Sequence, residues 1–394
     1  MPNVIYLDAA ASTPLAPEAL AATVDALQRV GNPGAAHAAG YQAARVVARA
    51  RQSVADLLEV GQASVVFTGS ATEANNLALR GLAVPGRSAI VTTAAEHPSV
   101  LATVHDLASR GHSTAVVPVA ASGEVDLDVL RAVLTPETLL VSVHAANNET
   151  GVIQPMDQIA GMAHAIGAFV HADASQLMGW GQSHLLISCD LVTVSSHKMY
   201  GPQGAAALIV RRAARDSLHA QLTGGGQETG LRSGTLNVAA IAGFGAAAEL
   251  SLASGADAAT STAALRRRLL DGLVEGIGDV VEHCASTARR LPGILNVAVG
   301  ASSLGSAESE ALLARIPALA ASTGSACHAG APEPSPVLLA MGISDWEAAR
   351  SIRLSLSRYT TAEDVDQAVS ALVGSNQDLA RLMGDTPHEE RYVV

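Results

Sequence analysis

Between residues 60 and 211, short β-branched runs alternate with longer stretches whose apolar positions recur at helical spacing. The pattern predicts strands at 65–68, 89–93, 115–119, 139–144, 168–172, 191–195 and 206–210. Amphipathic helices are expected at 72–80, 99–109, 127–134 and 156–166 between them. Such alternation is the signature of an α/β fold with a mostly parallel sheet, here of seven strands. In these sheets ligands bind beyond the carboxyl ends of the strands. The polar clusters Gly69–Glu73, Glu96–His97, Asn147–Thr150, Asp173–Gln176 and Ser195–Lys198 each directly follow a predicted strand, so one site assembled from five loops is expected.

Beyond this block lie the glycine-rich stretch GGGQETGLRSGT (224–235) and an alanine-rich helical segment. The polar run 254–262 then reads as a boundary. Strands are expected at 294–299 and 351–357, and a frayed end from about Asn376. The expected division is a large domain, 15–255, and a smaller α+β domain formed by 1–14 with 256–394.

Composition narrows the classes. With 49% hydrophobic and only 15% charged residues over 394 positions, the chain can bury a large core and lacks the signature of disorder. Its net charge of −12 gives no general attraction to nucleic acid or to anionic membranes. Uncharged apolar stretches such as 238–248 fall short of the roughly 18 to 20 residues a bilayer span needs. MPNVIYLDAA does not read as a signal peptide, so a cytoplasmic protein is expected. Three cysteines, Cys189, Cys284 and Cys327, make a disulfide framework improbable.

Among 24 basic residues only one is lysine, Lys198. A GC-rich genome accounts for the depletion but not for the survivor. Arginine carries the same charge but cannot supply a free amine, whereas lysine forms an imine with a carbonyl. Pyridoxal phosphate chemistry requires such an amine.

The loops around Lys198 suit that chemistry. Thr72 begins a predicted helix whose N-terminal amides would hold a phosphate, although an ordinary helix cap reads the same way. Ser195 and His197 add donors beside Lys198. Asp173 could keep a pyridinium nitrogen protonated while Gln176 meets a ring oxygen; His171 with Asp173 also suits a metal pair, but no third ligand stands out. His97 could lie over an aromatic ring or be a core histidine, and Asn148 could serve a turn equally well. In SIRLSLS (351–357), Ile352, Leu354 and Leu356 face one way and Ser351, Arg353, Ser355 and Ser357 the other. Arg353 could thus grip a carboxylate with two hydrogen bonds or simply be solvated. Cys327 lies in STGSACHAGAPEPS (322–335), a run of small residues, glycine and proline in which a thiol could be reactive.

In order along the chain, YLDAAASTP, GNPGAAH, ATEANNLA, EHPSV, NNETGVIQP, HADASQ, SSHKMYGPQG, GGGQETGLRSGT, LPGILNV, GSAC and SIRLSLSRYTTAEDV resemble the cysteine desulfurases. These are pyridoxal 5'-phosphate enzymes of the class V aminotransferase type with fold type I. The resemblance implies that Lys198 carries the cofactor, Asp173 pairs with its ring nitrogen, Gln176 with its phenolic oxygen, and His97 stacks on the ring. Thr72, Ala71, Ser195 and His197 would hold the phosphate, with Thr235 from the other subunit of a homodimer. Asn148 and Arg353 would grip the carboxylate of L-cysteine, and Cys327 would attack its sulfur, giving L-alanine and a persulfide for a protein acceptor or scaffold. Two motifs depart from the family: Gly69-Ser70 stands where Ser-Gly is common, and His328 replaces a more usual threonine. Sulfur supply to DNA phosphorothioation, iron–sulfur cluster assembly and tRNA thiolation are all compatible destinations. An aminotransferase or lyase without the thiol step, and a non-catalytic scaffold of the same fold, are the competing readings.

Overall fold

The computed structural model describes residues 4–284, 289–300, 309–323 and 334–384. After the short β1 (Ile5–Tyr6), strands β2 (Val65–Thr68), β3 (Ala89–Thr93), β4 (Thr114–Val117), β5 (Thr138–His144), β6 (Phe169–Asp173), β7 (Leu191–Ser195) and β8 (Ala206–Val210) build a seven-stranded sheet. Its order is β2-β8-β7-β6-β5-β3-β4. All neighbours pair in parallel except β8, which runs antiparallel to both β2 and β7. A parallel return needs a crossover of about a dozen or more residues, and residues 196–205 between β7 and β8 are too few. They form a tight bend instead, with Tyr200 at φ +71° and Gly204 at φ +83°. Strand β4 ends at Val117, short of the expected 119, because Pro118 has no N–H to continue the ladder.

Helices cover both faces. Those preceding and within the sheet region are α1 (Pro17–Leu27), α2 (Ala38–Leu57), α3 (Ala71–Gly81), α4 (Pro98–Ser109), α5 (Leu127–Val133), α6 (Met156–Ala165) and α7 (Arg212–Arg215). Alternate strand residues serve opposite faces: Phe67 and Val141 join Val54 and Ile159 in one core, while Val66 and Leu140 join Leu77 and Val104 in another.

One helix, α8 (Val238–Ile277), runs unbroken through the polar stretch 254–262 that the sequence presents as a boundary. Its small residues Ser251, Gly255, Ala258 and Thr262 are buried at helical spacing. A Cβ at Gly255 would sit 2.7 Å from the Gly181 nitrogen, so smallness here allows close backbone packing rather than chain flexibility. The helix is long and apolar enough to cross a membrane by length and composition alone, but 56% of its most apolar window is buried inside the protein.

The carboxyl-terminal half of α8 enters a separate core. Strands β9 (Val280–Glu282), β10 (Ile294–Val299), β11 (Leu319–Ala320), β12 (Ser322–Thr323) and β13 (Ser351–Ser355) alternate with α9 (Ser309–Ala314), α10 (Pro336–Ala340), α11 (Asp345–Ala348) and α12 (Ala362–Gly384). A four-stranded sheet, β12-β13-β10-β9, and the parallel pair β1-β11 result. Leu269, Leu273, Val297, Ile352, Leu354, Val365 and Leu372 form its core, joined by Ile5 and Leu7 from the amino-terminal segment.

Candidate active site

Because β2, β3, β5, β6 and β7 run parallel, the loops after them share one edge of the sheet. The five polar clusters therefore meet there. Across that edge runs the segment after β1. The Ala10 carbonyl accepts hydrogen bonds from Gln176 Nε2 (2.9 Å) and Lys198 Nζ (2.5 Å), and Thr13 binds the His197 carbonyl (2.9 Å). Lys198 and Gln176 thus converge on a single oxygen.

Asp173, at the end of β6, is buried. Burial pushes its carboxyl up, but hydrogen bonds from Ser175 Oγ (2.6 Å), Asn75 Nδ2 (2.7 Å) and the Ser175 amide (3.0 Å) outweigh it and hold the group below the ordinary carboxylate range. An ionised carboxylate has about four acceptor sites, so one remains on Asp173 for a further donor. His97 caps α4: its Nδ1 accepts from the Ser99 amide (3.1 Å) and lies 2.8 Å from Ser99 Oγ. With Nδ1 accepting from the amide, the neutral ring carries its proton on Nε2. Burial, together with Lys198, holds His97 below its usual range against the pull of Asp173.

Thr72 is exposed in the first turn of α3, three residues before Asn75 and so on the same side of the helix. Ala71 is the first helical residue, with its amide among those that lack an intrahelical acceptor. Ser70 caps this helix by accepting from the Glu73 amide (3.2 Å), which gives the Gly69-Ser70 order a local purpose. At the end of β7, Ser195 Oγ is buried and has no hydrogen-bond partner among the described residues. Burial and the adjacent Lys198 push His197 down to about 4. A phosphate among Thr72, Ala71, Ser195 and His197 would give the orphaned Ser195 hydroxyl its partner, and a protonated ring nitrogen would take the open site on Asp173. The residues present therefore fit pyridoxal 5'-phosphate. Thr235 is exposed.

His171 does not share this arrangement: its ring nitrogens meet Ser142 Oγ (2.8 Å) and Thr193 Oγ1 (3.0 Å), and burial pushes it down to about 4. Arg353 is buried rather than solvated. Its Nη1 donates to the Asn148 carbonyl (3.2 Å), and its Nη2 to Asp8 Oδ1 (2.7 Å) and Ser322 Oγ (3.0 Å). Asn148 and Arg353 are thus together. Cys327 and His328 lie outside the described residues. The chain on either side of them is anchored at this site: Ser322 on Asp8 and Arg353, and Ser335 Oγ on Glu149 (2.5 Å), next to Asn148.

Two site residues escaped the sequence reading, Asn75 and Asp8. Asn75 sits beside Asn76 in ATEANNLA, and only the fold decides which of them faces Asp173. Replacing Asn75 by alanine removes one hydrogen bond to a buried charge. Cofactor affinity is expected to fall about tenfold, with unchanged far-ultraviolet circular dichroism, as measured by equilibrium dialysis against pyridoxal 5'-phosphate.

A mostly parallel α/β sheet that gathers a lone lysine, a buried carboxylate and the start of a helix along one edge suits an enzyme of the imine-forming class. The family model described as aminotransferase class-V matches residues 5–368. The chain is 43% identical over 375 residues to cysteine desulfurase IscS of Anaeromyxobacter sp. (strain Fw109-5), which spans 94% of this chain and 91% of that relative. A solved NifS-like protein superposes with a TM-score of 0.85 at 30% identity, covering 97% of this chain and 100% of the other. DndA from Streptomyces lividans does so at 0.74 and 34%, covering 87% and 97%. The chain belongs to the aminotransferase class-V family and, within it, to the cysteine desulfurases. Its members depend on pyridoxal 5'-phosphate.

Proposed function

We propose that the chain converts L-cysteine to L-alanine and passes the sulfur through a persulfide on Cys327 to a protein acceptor. When bound, pyridoxal 5'-phosphate supplies the electron sink for bond changes at the substrate's carbon atoms. Lys198 holds the cofactor covalently and moves protons at the substrate α-carbon. Asp173 keeps the ring nitrogen protonated, Gln176 meets the phenolic oxygen, and His97 lies against the ring. Thr72, the Ala71 amide, Ser195 and His197 hold the phosphate, with Thr235 arriving from the second subunit of a homodimer. Asn148 and Arg353 orient the carboxylate. The Cys327 thiolate attacks the substrate sulfur; an S–S bond forms as the C–S bond breaks.

The observation that carries this reading is the tether of Ser322 to Arg353. Cys327 is only five residues farther along the chain, within at most about 18 Å of that anchor. Both other thiols are poor candidates: burial pushes Cys189 up to about 12 and also raises Cys284. The reading places 15–255 in a large cofactor domain and 1–14 with 256–394 in a small one, and sets the enzyme in the cytoplasm, where free thiols stay reduced. Likeness to the DndA structure bears on DNA phosphorothioation as the sulfur's destination. To test the function, the purified protein is loaded with pyridoxal 5'-phosphate and given L-cysteine and a thiol reductant. L-alanine and sulfide should form in equal amounts, and alanine without sulfide would refute it.

A further inference from the structure

Arg353 is already occupied by an anion. A guanidinium has five N–H donors, and a two-pronged grip on a carboxylate uses either the Nη1/Nη2 edge or the Nε/Nη2 edge. Both edges need Nη2. Yet Nη2 donates to Asp8 Oδ1 and Ser322 Oγ, and Ser322 Oγ itself donates to Asp8 Oδ1 (2.9 Å), which closes a three-membered network. Nη1 gives one hydrogen to the Asn148 carbonyl, and Nε is buried without a partner among the described residues. Neither fork is open. A substrate carboxylate can bind Arg353 through two hydrogen bonds only if it displaces one of the two acceptors on Nη2.

Asp8 is the acceptor suited to exchange. It is the anion of the pair, so its departure swaps one carboxylate for another and leaves the buried guanidinium compensated. Its side chain is 21% exposed against 6% for Arg353, which lets water receive it when it leaves. Ser322, by contrast, is fixed in β12 opposite Arg353 in the β12–β13 register.

We propose that Asp8 is an internal occupant of the carboxylate subsite, a specificity-determining residue that substrate must displace and that sets the enzyme's affinity for amino acids. The proposal rests on the reading of Arg353 as the carboxylate ligand. Occupation by Asp8 reduces apparent affinity by the fraction of molecules in which the subsite is open. Removing its charge should therefore tighten binding.

The test titrates cofactor-loaded protein with L-alanine by calorimetry and measures the KM and kcat for L-cysteine. Asp8→Asn keeps an acceptor for Nη2 but not the charge; it should bind L-alanine roughly three- to tenfold more tightly and lower the KM for L-cysteine in parallel without raising kcat. Asp8→Glu keeps the charge and should leave L-alanine affinity within about twofold of the parent. A merely structural Asp8 would weaken binding in both variants, and that result, or no change in Asp8→Asn, overturns the proposal. Arg353→Gln separates the two ideas: if it leaves L-alanine affinity unchanged, the assignment of Arg353 itself has failed. If it weakens binding while Asp8→Asn does not strengthen it, only the role of Asp8 has failed.

Discussion

Lys198→Ala is expected to abolish turnover of L-cysteine, by at least about 10³-fold, and to leave the protein folded. Two separate losses produce this. The chain has no other lysine, so no second side-chain amine can take over the covalent hold on the cofactor. Nor is the neighbouring His197 a good replacement for moving a proton at the α-carbon: burial and Lys198 lower it to about 4, so its imidazole is a weak base. Lys198→Arg discriminates chemistry from charge. It keeps a cation near the Ala10 carbonyl, yet a guanidinium neither forms the link nor gives up a proton, so it should lose as much activity as the alanine variant. Borohydride treatment of the loaded parent, followed by digestion and mass spectrometry, should place a reduced cofactor on the peptide containing Lys198 and nowhere else. Substantial activity in Lys198→Arg, or an adduct-free parent, would end the enzymatic interpretation.

Lys198 was legible because its evidence is local: a unique residue type just past a β-branched run. The same holds for strands 65–68, 89–93, 191–195 and 206–210, which the structure places at those bounds. Each is short and largely apolar, so burial on both faces is written in consecutive positions. The continuous helix through 254–262 was not legible, for the opposite reason. Small polar residues suit a linker, but they also let two backbones approach, and only the neighbouring Gly181 shows that the second use applies. The antiparallel course of β8 could have been inferred from the short connection after β7, a length rule rather than a residue pattern. Asn75 and Asp8 were out of reach. Asn75 binds an aspartate 98 positions away, and Asp8 pairs with an arginine 345 positions away. No periodicity carries such a contact. A charged residue two positions after β1, next to the apolar Leu7 in YLDAAASTP, was the one available hint that Asp8 has a buried partner.

Cys327→Ala should retain cofactor binding and lose sulfide release altogether. The residues proposed to hold the cofactor lie in the loops after β2, β3, β6 and β7, and Cys327 is not among them, so the visible absorption of the loaded protein and its affinity for L-alanine should match the parent. What disappears is the nucleophile. Cys284 cannot substitute: its thiol is buried, raised in pKa, and points at the Thr150 carbonyl at 3.5 Å. Cys189 lies just before the amino-terminal end of β7, whereas Lys198 follows the carboxyl end; five residues of strand put the two about 17 Å apart. With no thiolate to accept sulfur, the C–S bond of L-cysteine persists and alanine production falls with sulfide production. The competing assignments part company at this variant. An aminotransferase or a lyase of the same fold would release keto acid or sulfide as well from Cys327→Ala as from the parent, and a scaffold would show no turnover in either. Trapping with iodoacetamide after a brief exposure to L-cysteine makes the comparison direct: the parent should carry one extra sulfur on the peptide spanning Cys327, and its appearance on Cys284 or Cys189 instead would remove Cys327 from the mechanism.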